Sequence, residues 1–391
     1  MASQNKIIIE DLKKIIINDD KNVIAFVGAG TSIIPGINNW DNLLIEMAIE
    51  FEKNVTNQKS IEQIKENVLT DIAINGYSKT ASLIYDKIKN LNKYKAFLKK
   101  QFIPNKTKYH ATHTKILNIF KIILTTNYDI CFEDSLDDIN YSIFKYNGKK
   151  INVEIQRLPY FNSSNLKHDG YSLVYLHSNS IENNYILKED EYKLNYPSAF
   201  NLNHDSQLET FLKDIFENFT IVFIGFSFND SVFKQFVENY IKNRRVYYEE
   251  YKLINGNDPM KKLQNNFIIL HSNECKVTID KKILMRTLNK FKINIKDIFK
   301  EDKSDILEFN NSFNDLSIQE FKAKEFPEEF ISFLQNEYKK KVAIDEKLNF
   351  FDNFNINLIK IDDYIEIEAI LKSIRKELSY IKSDSMEASI K

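Results

Sequence analysis

The sequence has few cysteines and no long apolar run. Only two of its 391 residues are cysteine, Cys131 and Cys275. They are too few and too far apart for a disulfide framework or a four-thiolate zinc site. The most apolar stretches, such as residues 221–226, fall far short of the roughly 20 residues that span a bilayer. No positively charged leader opens the chain, because acidic residues directly follow the apolar run Ile7–Ile9. We therefore expect a cytoplasmic protein that does not enter a membrane.

The chain also lacks a strong net charge, which is −1 overall. Residues 301–391 carry a net charge of −7, and residues 1–300 carry +6. That excess is mild, whereas faces that bind DNA concentrate positive charge. Direct binding of nucleic acid is therefore not expected. Hydrophobic residues make up 43% and charged residues 28% of the chain, a balance that is typical of globular proteins.

Short, β-branched, almost wholly apolar runs recur along the chain. They are Val23–Val27, Ile122–Leu124, Leu173–Leu176, Ile221–Ile224 and Phe267–Leu270. Continuous runs of this kind are typical of strands that are buried on both faces of a parallel sheet. Segments with apolar residues every three or four positions, such as residues 40–52, separate them. This alternation predicts an α/β fold with a Rossmann-like, doubly wound parallel sheet.

Two parts of the chain depart from this alternation. Residues 57–106 have a helical pattern throughout and predict a helical insertion over the sheet. Residues 301–391 predict a small, mainly helical C-terminal region. Within it, apolar residues from Ile367 to Ile381 follow a coiled-coil-like spacing, which fits either a helix packed on its own domain or an association surface. We predict a catalytic domain over residues 1–300, an association region over residues 301–391, and a homo-oligomer.

Four of the apolar runs end in small or polar residues. The clusters are Gly28–Ser32, Thr125–Asp129, His177–Asn179 and Gly225–Asp230. In open parallel sheets, ligands bind beyond the carboxyl ends of the strands. If the four runs are neighbouring parallel strands, the clusters converge on one crevice.

The first cluster has the chemistry of a phosphate-binding loop. Gly28 and Gly30 permit a tight turn and close backbone approach, and a following helix would point free N–H groups at an anion. Isoleucine at position 33 breaks the dinucleotide-binding Gly-x-Gly-x-x-Gly fingerprint, so an ordinary dehydrogenase is not expected. Gly-Ala-Gly by itself also fits a tight turn without a ligand.

Asn127, Asp129 and His177 are the candidate catalytic and binding side chains. The Asn127 amide can hold a ribose hydroxyl or a water, and Asp129 adds a hydrogen-bond acceptor; both also fit a cap on the next helix. His177 directly follows an apolar run and could act as a base toward a ribose hydroxyl or water. A single histidine at a strand end also fits a structural hydrogen bond.

The motifs form a pattern in their order and spacing. They are Gly28-Ala29-Gly30-Thr31-Ser32, then Trp40, Thr125-Thr126-Asn127-Tyr128-Asp129, Leu176-His177, Ile186–Tyr192, and Gly225-Phe226-Ser227-Phe228-Asn229-Asp230. Together they resemble the sirtuin-like proteins of bacterial anti-phage defence over about residues 20–300. The resemblance implies a domain that cleaves NAD⁺ to ADP-ribose and nicotinamide.

The resemblance also implies roles for individual residues. Asn127 and His177 would be the catalytic pair. The residues that bind or position NAD⁺ would be Gly28, Ala29, Gly30, Thr31, Ser32 and Asp129, with Gly225 and Ser227 near the adenosine half. NAD⁺ would be the substrate, and no metal would be required. Some such proteins work with a HerA-type ATPase, which is therefore a candidate partner.

The sequence departs from the family pattern in two ways. Ser178 stands where the family usually has glycine, and the zinc-ribbon cysteines of protein-deacylating sirtuins are missing, which disfavours a deacylase or an ADP-ribosyltransferase. The main alternative is a non-catalytic module that senses NAD or ADP-ribose within a defence complex. Such a module would keep the glycine loop but would not need Asn127 together with His177. A nuclease is disfavoured because no carboxylate cluster has metal-ligand spacing.

Overall fold

The fold was obtained as a computed structural model. It describes residues 2–18, 22–33, 36–52, 60–103, 111–137, 139, 152–167, 170–182, 184–255, 266–271, 278–280, 306–308, 342–361 and 366–376.

A seven-stranded sheet forms the centre of the molecule. Its strands are β1 (Val23–Val27), β2 (Ile122–Thr125), β3 (Val153–Arg157), β4 (Tyr171–Tyr175), β5 (Thr220–Ile224), β6 (Asn266–His271) and β9 (Ile356–Ile361). Their order across the sheet is β3-β4-β2-β1-β5-β6-β9, and every pairing is parallel. Two short strands, β7 (Thr278–Asp280) and β8 (Ile306–Glu308), pair separately in antiparallel fashion. The predicted α/β fold class is confirmed.

Helices connect the strands. They are α1 (Ala2–Asn18), α2 (Trp40–Glu52), α3 (Ile61–Asn75), α4 (Tyr77–Asp86), α5 (Leu91–Gln101), α6 (Ala111–Leu117), α7 (131–137), α8 (Glu189–Asn195), α9 (Gln207–Asn218), α10 (Ser231–Asn255), α11 (342–353) and α12 (366–376). Short 3₁₀ turns occur at Ala29–Thr31, Ser163–Lys167 and Pro197–Phe200. Among these described helices, none combines the length and apolar character needed to cross a membrane.

Both faces of the sheet are buried, which explains why its central strands are continuously apolar. Side chains alternate between the faces of a strand. Phe26 and Phe223 therefore enter the hydrophobic core on one face, and Ala25 and Val222 enter the core on the other. All five residues of β1 are buried. A third apolar cluster holds helices α2 to α5 together as a lobe beside the sheet.

The C-terminal ninety residues contribute to the main sheet as well as to helices. Strand β9 pairs with β6, with Ile268 opposite Leu358. On α12, Ile367, Leu371 and Ile374 are at most 2% exposed and pack into the core on one face of the sheet. The described part of the predicted association stripe is thus buried within the chain. Leu378 and Ile381 lie outside the described residues, as does the proposed domain boundary at residue 300.

Candidate active site

The carboxyl ends of four strands lie side by side at one edge of the sheet. Val27 at the end of β1 is in register with Thr125 of β2 and with Ile224 of β5, and Thr125 is in register with Tyr175 of β4. The chain extends the sheet to one side of β1 through β2 and to the other side through β5, so the strand order reverses there. Such a reversal opens a crevice where ligands bind in α/β sheets. The four clusters that follow these strands therefore begin at the same position along the strand direction.

The glycine loop after β1 is held against the turn after β5. The N–H of Gly28 donates to the carbonyl of Ile224, and that of Gly30 to the carbonyl of Gly225, both at 3.0 Å. Ala29–Thr31 form a single 3₁₀ turn, and the next helix begins only at Trp40. The loop is therefore a tight turn fixed to β5 rather than the start of a long helix.

Asn127 is oriented by this loop. Its Nδ2 donates to the carbonyl oxygen of Gly28 at 3.1 Å and to Oγ of Ser32 at 3.0 Å. Both amide hydrogens are therefore used, and the buried Oδ1 has no hydrogen-bond partner among the described residues. Asn127 does not cap the following helix. Its acceptor oxygen is the atom that remains for a ligand.

Asp129 does cap the following helix. Its Oδ1 accepts the N–H of Cys131 at the start of α7 at 3.0 Å. His113, Asp129 and Cys131 also lie together, with their potential ligand atoms within 4.8 Å of one another. Burial and the charge of Asp129 raise the pKa of the Cys131 thiol. The cluster is connected to Asn127 through Ser32, whose Oγ lies 3.5 Å from Nε2 of His113.

His177 is enclosed by aromatic side chains. It is 1% exposed, and its Nε2 lies 2.9 Å from the hydroxyl of Tyr196. The rings of Tyr192 and Tyr196 pack edge-on against the imidazole, with centroids 5.6 and 5.7 Å away. Burial lowers the pKa of His177 to about 3. The imidazole is therefore neutral at physiological pH.

Ser178 occupies a backbone conformation that suits glycine. Its φ is +66°, in the left-handed region, and its buried Oγ has no hydrogen-bond partner among the described residues. The family's usual glycine would adopt this conformation without the steric cost of a Cβ. The serine preserves the local geometry at an energetic cost.

We expect Ser178→Gly to raise the free energy of unfolding, measured by urea denaturation, by about 1 kcal/mol relative to Ser178→Ala. Both variants remove the buried hydroxyl, but only glycine relieves the left-handed strain. Ser135 on α7 is the matched control, because its hydroxyl is also buried and without a partner in the described structure. Because Ser135 lies in a helix, the free energy of unfolding of Ser135→Gly should instead be about 1 kcal/mol lower than that of Ser135→Ala. The same sign at both positions would contradict the strain at Ser178.

Two adjoining cavities occupy the crevice. The outer cavity has a volume of about 340 Å³, and the predicted site residues that line it are Ala29, Gly30, His177, Gly225 and Ser227. The inner pocket, about 30 Å³, is lined by Ala29, Ser32, Asn127 and Asp129. Ala29, Trp40 and Thr126 line both. Asn127 and His177 therefore lie on two sides of a shared wall. Gly28 and Thr31 line neither cavity.

Sequence reasoning missed several residues that line the outer cavity. Asp41 and Tyr77 lie beside Trp40, and burial together with Asp41 raises the pKa of Tyr77 to about 12. Tyr192 donates its hydroxyl to Oδ2 of Asp230 at 2.6 Å, while Oδ1 of Asp230 caps α10. Asp230 and Tyr192 lie within motifs of the sirtuin-like pattern, but the sequence does not indicate that their side chains bond to each other.

A larger groove of about 710 Å³ runs along α9 and α10. It is lined by residues such as His204, Lys213, Arg244 and Tyr247. None of the four strand-end clusters contributes to it. The strand-end crevice is therefore the candidate active site, although it is smaller.

Comparison with known proteins agrees with this placement. Residues 121–287 match the family model of the SIR2-like domain, a range that contains Asn127, His177 and Gly225. The NAD(+) hydrolase ThsA of Cytobacillus dafuensis is 27% identical over 236 residues, which are 59% of this chain and 40% of that protein. The chain thus aligns with less than half of this relative's length. The sirtuin-like resemblance seen in the sequence is confirmed.

Proposed function

We propose that this chain, with its SIR2-like domain, is an NAD⁺ glycohydrolase that releases ADP-ribose and nicotinamide. The observation that carries the proposal is the register of β1, β2, β4 and β5. It assembles the glycine loop, Asn127 and His177 around one crevice at the reversal of strand order. The relative from Cytobacillus dafuensis is an NAD(+) hydrolase by name, which supports the same reaction.

The outer cavity suits a dinucleotide whose nicotinamide end is positively charged. Among the residues found to line it, none is lysine or arginine, whereas Asp41 and Asp230 are acidic. The pyrophosphate would therefore rely on backbone N–H groups and hydroxyls, including the N–H of Ala29 and the hydroxyl of Ser227. The carboxylates would favour the cationic nicotinamide and the positive charge that develops on the ribose.

The reaction needs orientation more than acid–base chemistry. When the bond between C1′ and the nicotinamide nitrogen breaks, its electron pair stays on that nitrogen and neutralises the ring. C1′ becomes oxocarbenium-like, a water oxygen adds to it, and the water proton passes to solvent. Asn127 Oδ1 would accept a hydrogen bond from a ribose hydroxyl or the water, and His177 would contact the ribose from the outer cavity. Binding must open the wall between the two cavities, which includes Trp40.

We also propose a role in anti-phage defence, through depletion of NAD⁺ in an infected cell. This role comes from the sirtuin-like resemblance. A HerA-type ATPase partner is a proposal of the same kind. Self-association was predicted from the stripe on α12 and from the opposite net charges of residues 1–300 and 301–391; the described residues of the stripe are buried, so this proposal now rests on the charges.

The first test is the reaction itself. Purified protein incubated with NAD⁺ should produce nicotinamide and ADP-ribose in equal amounts, resolved by chromatography. Cleavage in ¹⁸O-labelled water should place one labelled oxygen on C1′ of ADP-ribose. Saturable NAD⁺ binding without products, in the presence of extract from phage-infected cells as activator, would favour the sensor instead.

A further inference from the structure

The hydrogen-bond partners of the two ring nitrogens of His177 determine which nitrogen carries the proton. Both His177 and Tyr196 are buried, at 1% and 0% exposure. The Tyr196 hydroxyl has one hydrogen-bond partner among the described residues, Nε2 of His177. The other ring nitrogen, Nδ1, is buried and has no partner there. His177 also lines the outer cavity.

Two arrangements of the protons are possible in this pair. If Tyr196 donates to Nε2, the proton of the neutral imidazole is on Nδ1, and only that N–H lacks a partner. If Nε2 donates to Tyr196 instead, both the phenolic proton and the Nδ1 lone pair are buried without partners. Each buried polar group without a partner costs about 1–3 kcal/mol. The first arrangement leaves fewer such groups and is favoured.

No charged group reverses this preference. The side chains packed on the imidazole are Tyr128, which follows β2, and Tyr192 and Tyr196, in and after α8. Behind them lies the carboxylate of Asp230, which accepts the hydroxyl of Tyr192. Burial is the cause of the low pKa of His177. Among the residues that the structure describes, the ring therefore has no anionic partner that would draw a proton onto Nε2.

We infer that Tyr196 is a positioning residue that fixes the tautomer of His177, so that Nδ1 carries the proton and can donate to a substrate once binding exposes this buried atom. This inference rests on the proposed NAD⁺ cleavage and deepens it. His177 then donates a hydrogen bond to a ribose hydroxyl oxygen, in place of the base role expected from the sequence. Nδ1–H is the one polar atom of the ring still without a partner, in a residue at the cavity wall.

The tautomer can be observed without any turnover. In protein labelled with ¹⁵N-histidine, protonated and unprotonated ring nitrogens have well-separated NMR shifts, and the His177→Gln variant identifies the signals of His177. At pH 7, we expect Nδ1 to be protonated and Nε2 unprotonated. Tyr196→Phe should abolish this fixed pattern, whereas Tyr94→Phe, which removes another buried hydroxyl without a partner in the described structure, should leave it unchanged. A proton on Nε2 in the wild type would overturn the inference.

Kinetics supply the second readout. Tyr196→Phe should lower kcat for NAD⁺ cleavage about tenfold, the value of one hydrogen bond, with little change in KM. Tyr94→Phe should keep the wild-type kcat. Because His177 stays neutral, the wild-type rate should not fall with a pKa near 6.5 as the pH is lowered from 8 to 5; such a fall, removed by Tyr196→Phe, would contradict the donor role. Absence of all NAD⁺ cleavage would refute the proposed function, and the NMR result would still decide the tautomer.

Discussion

Replacing Asn127 with alanine is expected to reduce NAD⁺ cleavage by about 10²–10³-fold, the usual effect of removing one positioned group that stabilises a transition state. The buried Oδ1 of Asn127 has no partner in the described protein, and both amide hydrogens are used by Gly28 and Ser32. The side chain is thus held with its acceptor free. Alanine removes that acceptor and also releases Ser32.

His177→Ala is expected to lower the rate by a similar factor, since it removes the other candidate catalytic side chain. If the two side chains act on one ribose, the double variant should be far less impaired than the product of the two single losses, because groups that act as a unit fail together. NAD⁺ binding, measured by calorimetry, should largely survive in each single variant, because the glycine loop is intact.

Matched controls separate these effects from general damage. Asn218 at the end of α9 and His204 in the loop before α9 are exposed and line neither crevice cavity. Asn218→Ala and His204→Ala should cleave NAD⁺ at the wild-type rate. Each variant should also unfold cooperatively in urea, which shows that the fold is retained. Wild-type turnover by either Asn127→Ala or His177→Ala would refute its catalytic assignment.

The centre of the sheet could be predicted because burial on two faces leaves a plain sequence signal. Runs such as Val23–Val27 and Ile221–Ile224 coincide with strands whose residues are all buried. The convergence of their ends followed from parallel pairing alone, and the register confirms it. The order of strands did not follow, because apolar runs carry no information about which neighbour each strand chooses.

Two strands of the main sheet were missed for physical reasons. β3 (Val153–Arg157) is an edge strand with mostly half-buried residues, so polar side chains interrupt its apolar pattern. β9 lies in the acidic C-terminal region and also forms an edge of the sheet. Its buried residues, Ile356, Ile359 and Ile361, do not follow the regular alternation of a strand, which weakens the contrast with a helix.

The surroundings of His177 could not be predicted from the sequence. Tyr196 approaches the imidazole only because α8 ends beside β4, a tertiary contact without a local signal. The chain has 20 tyrosines, and none is marked by its neighbours as a histidine partner. The sequence was also compatible with Asn127 as a cap on the next helix. The hydrogen bonds from its amide to Gly28 and Ser32 exclude that role.

A Cβ at position 28 would collide with the turn after β5, and this contact leads to the second large effect. The added atom would lie 2.6 Å from the carbonyl oxygen of Gly225 and 2.8 Å from Cα of Phe226. At Gly30 the closest approach is 3.0 Å, again to Gly225. Both obstacles are backbone atoms, which cannot move without separating the loop from β5. Gly28 and Gly30 thus allow the loop after β1 to pack against the turn after β5. They also allow a phosphate to approach the backbone of the loop.

We therefore expect alanine at Gly28 to destabilise the protein more than alanine at Gly30, measured by urea denaturation. Gly28→Ala should cost roughly 3 kcal/mol, as overpacking against rigid groups does, and Gly28→Val should abolish NAD⁺ binding in calorimetry. Gly76 is the control for backbone strain without a close contact: its nearest obstacle is 3.8 Å away, but its φ of +75° and ψ of 175° lie in a region essentially restricted to glycine, where alanine costs about 1–3 kcal/mol. NAD⁺ affinity should fall for Gly28→Ala and Gly30→Ala and stay unchanged for Gly76→Ala, because only the first two displace the loop from the crevice. Because the φ of Gly28 is −112°, a conformation open to alanine, a stability loss at this position reports the contact with Gly225. A Gly28→Ala protein as stable as the wild type would show that this contact does not require glycine. If a destabilised but folded Gly28→Ala protein bound NAD⁺ with unchanged affinity, the loop would not be part of the NAD⁺ site.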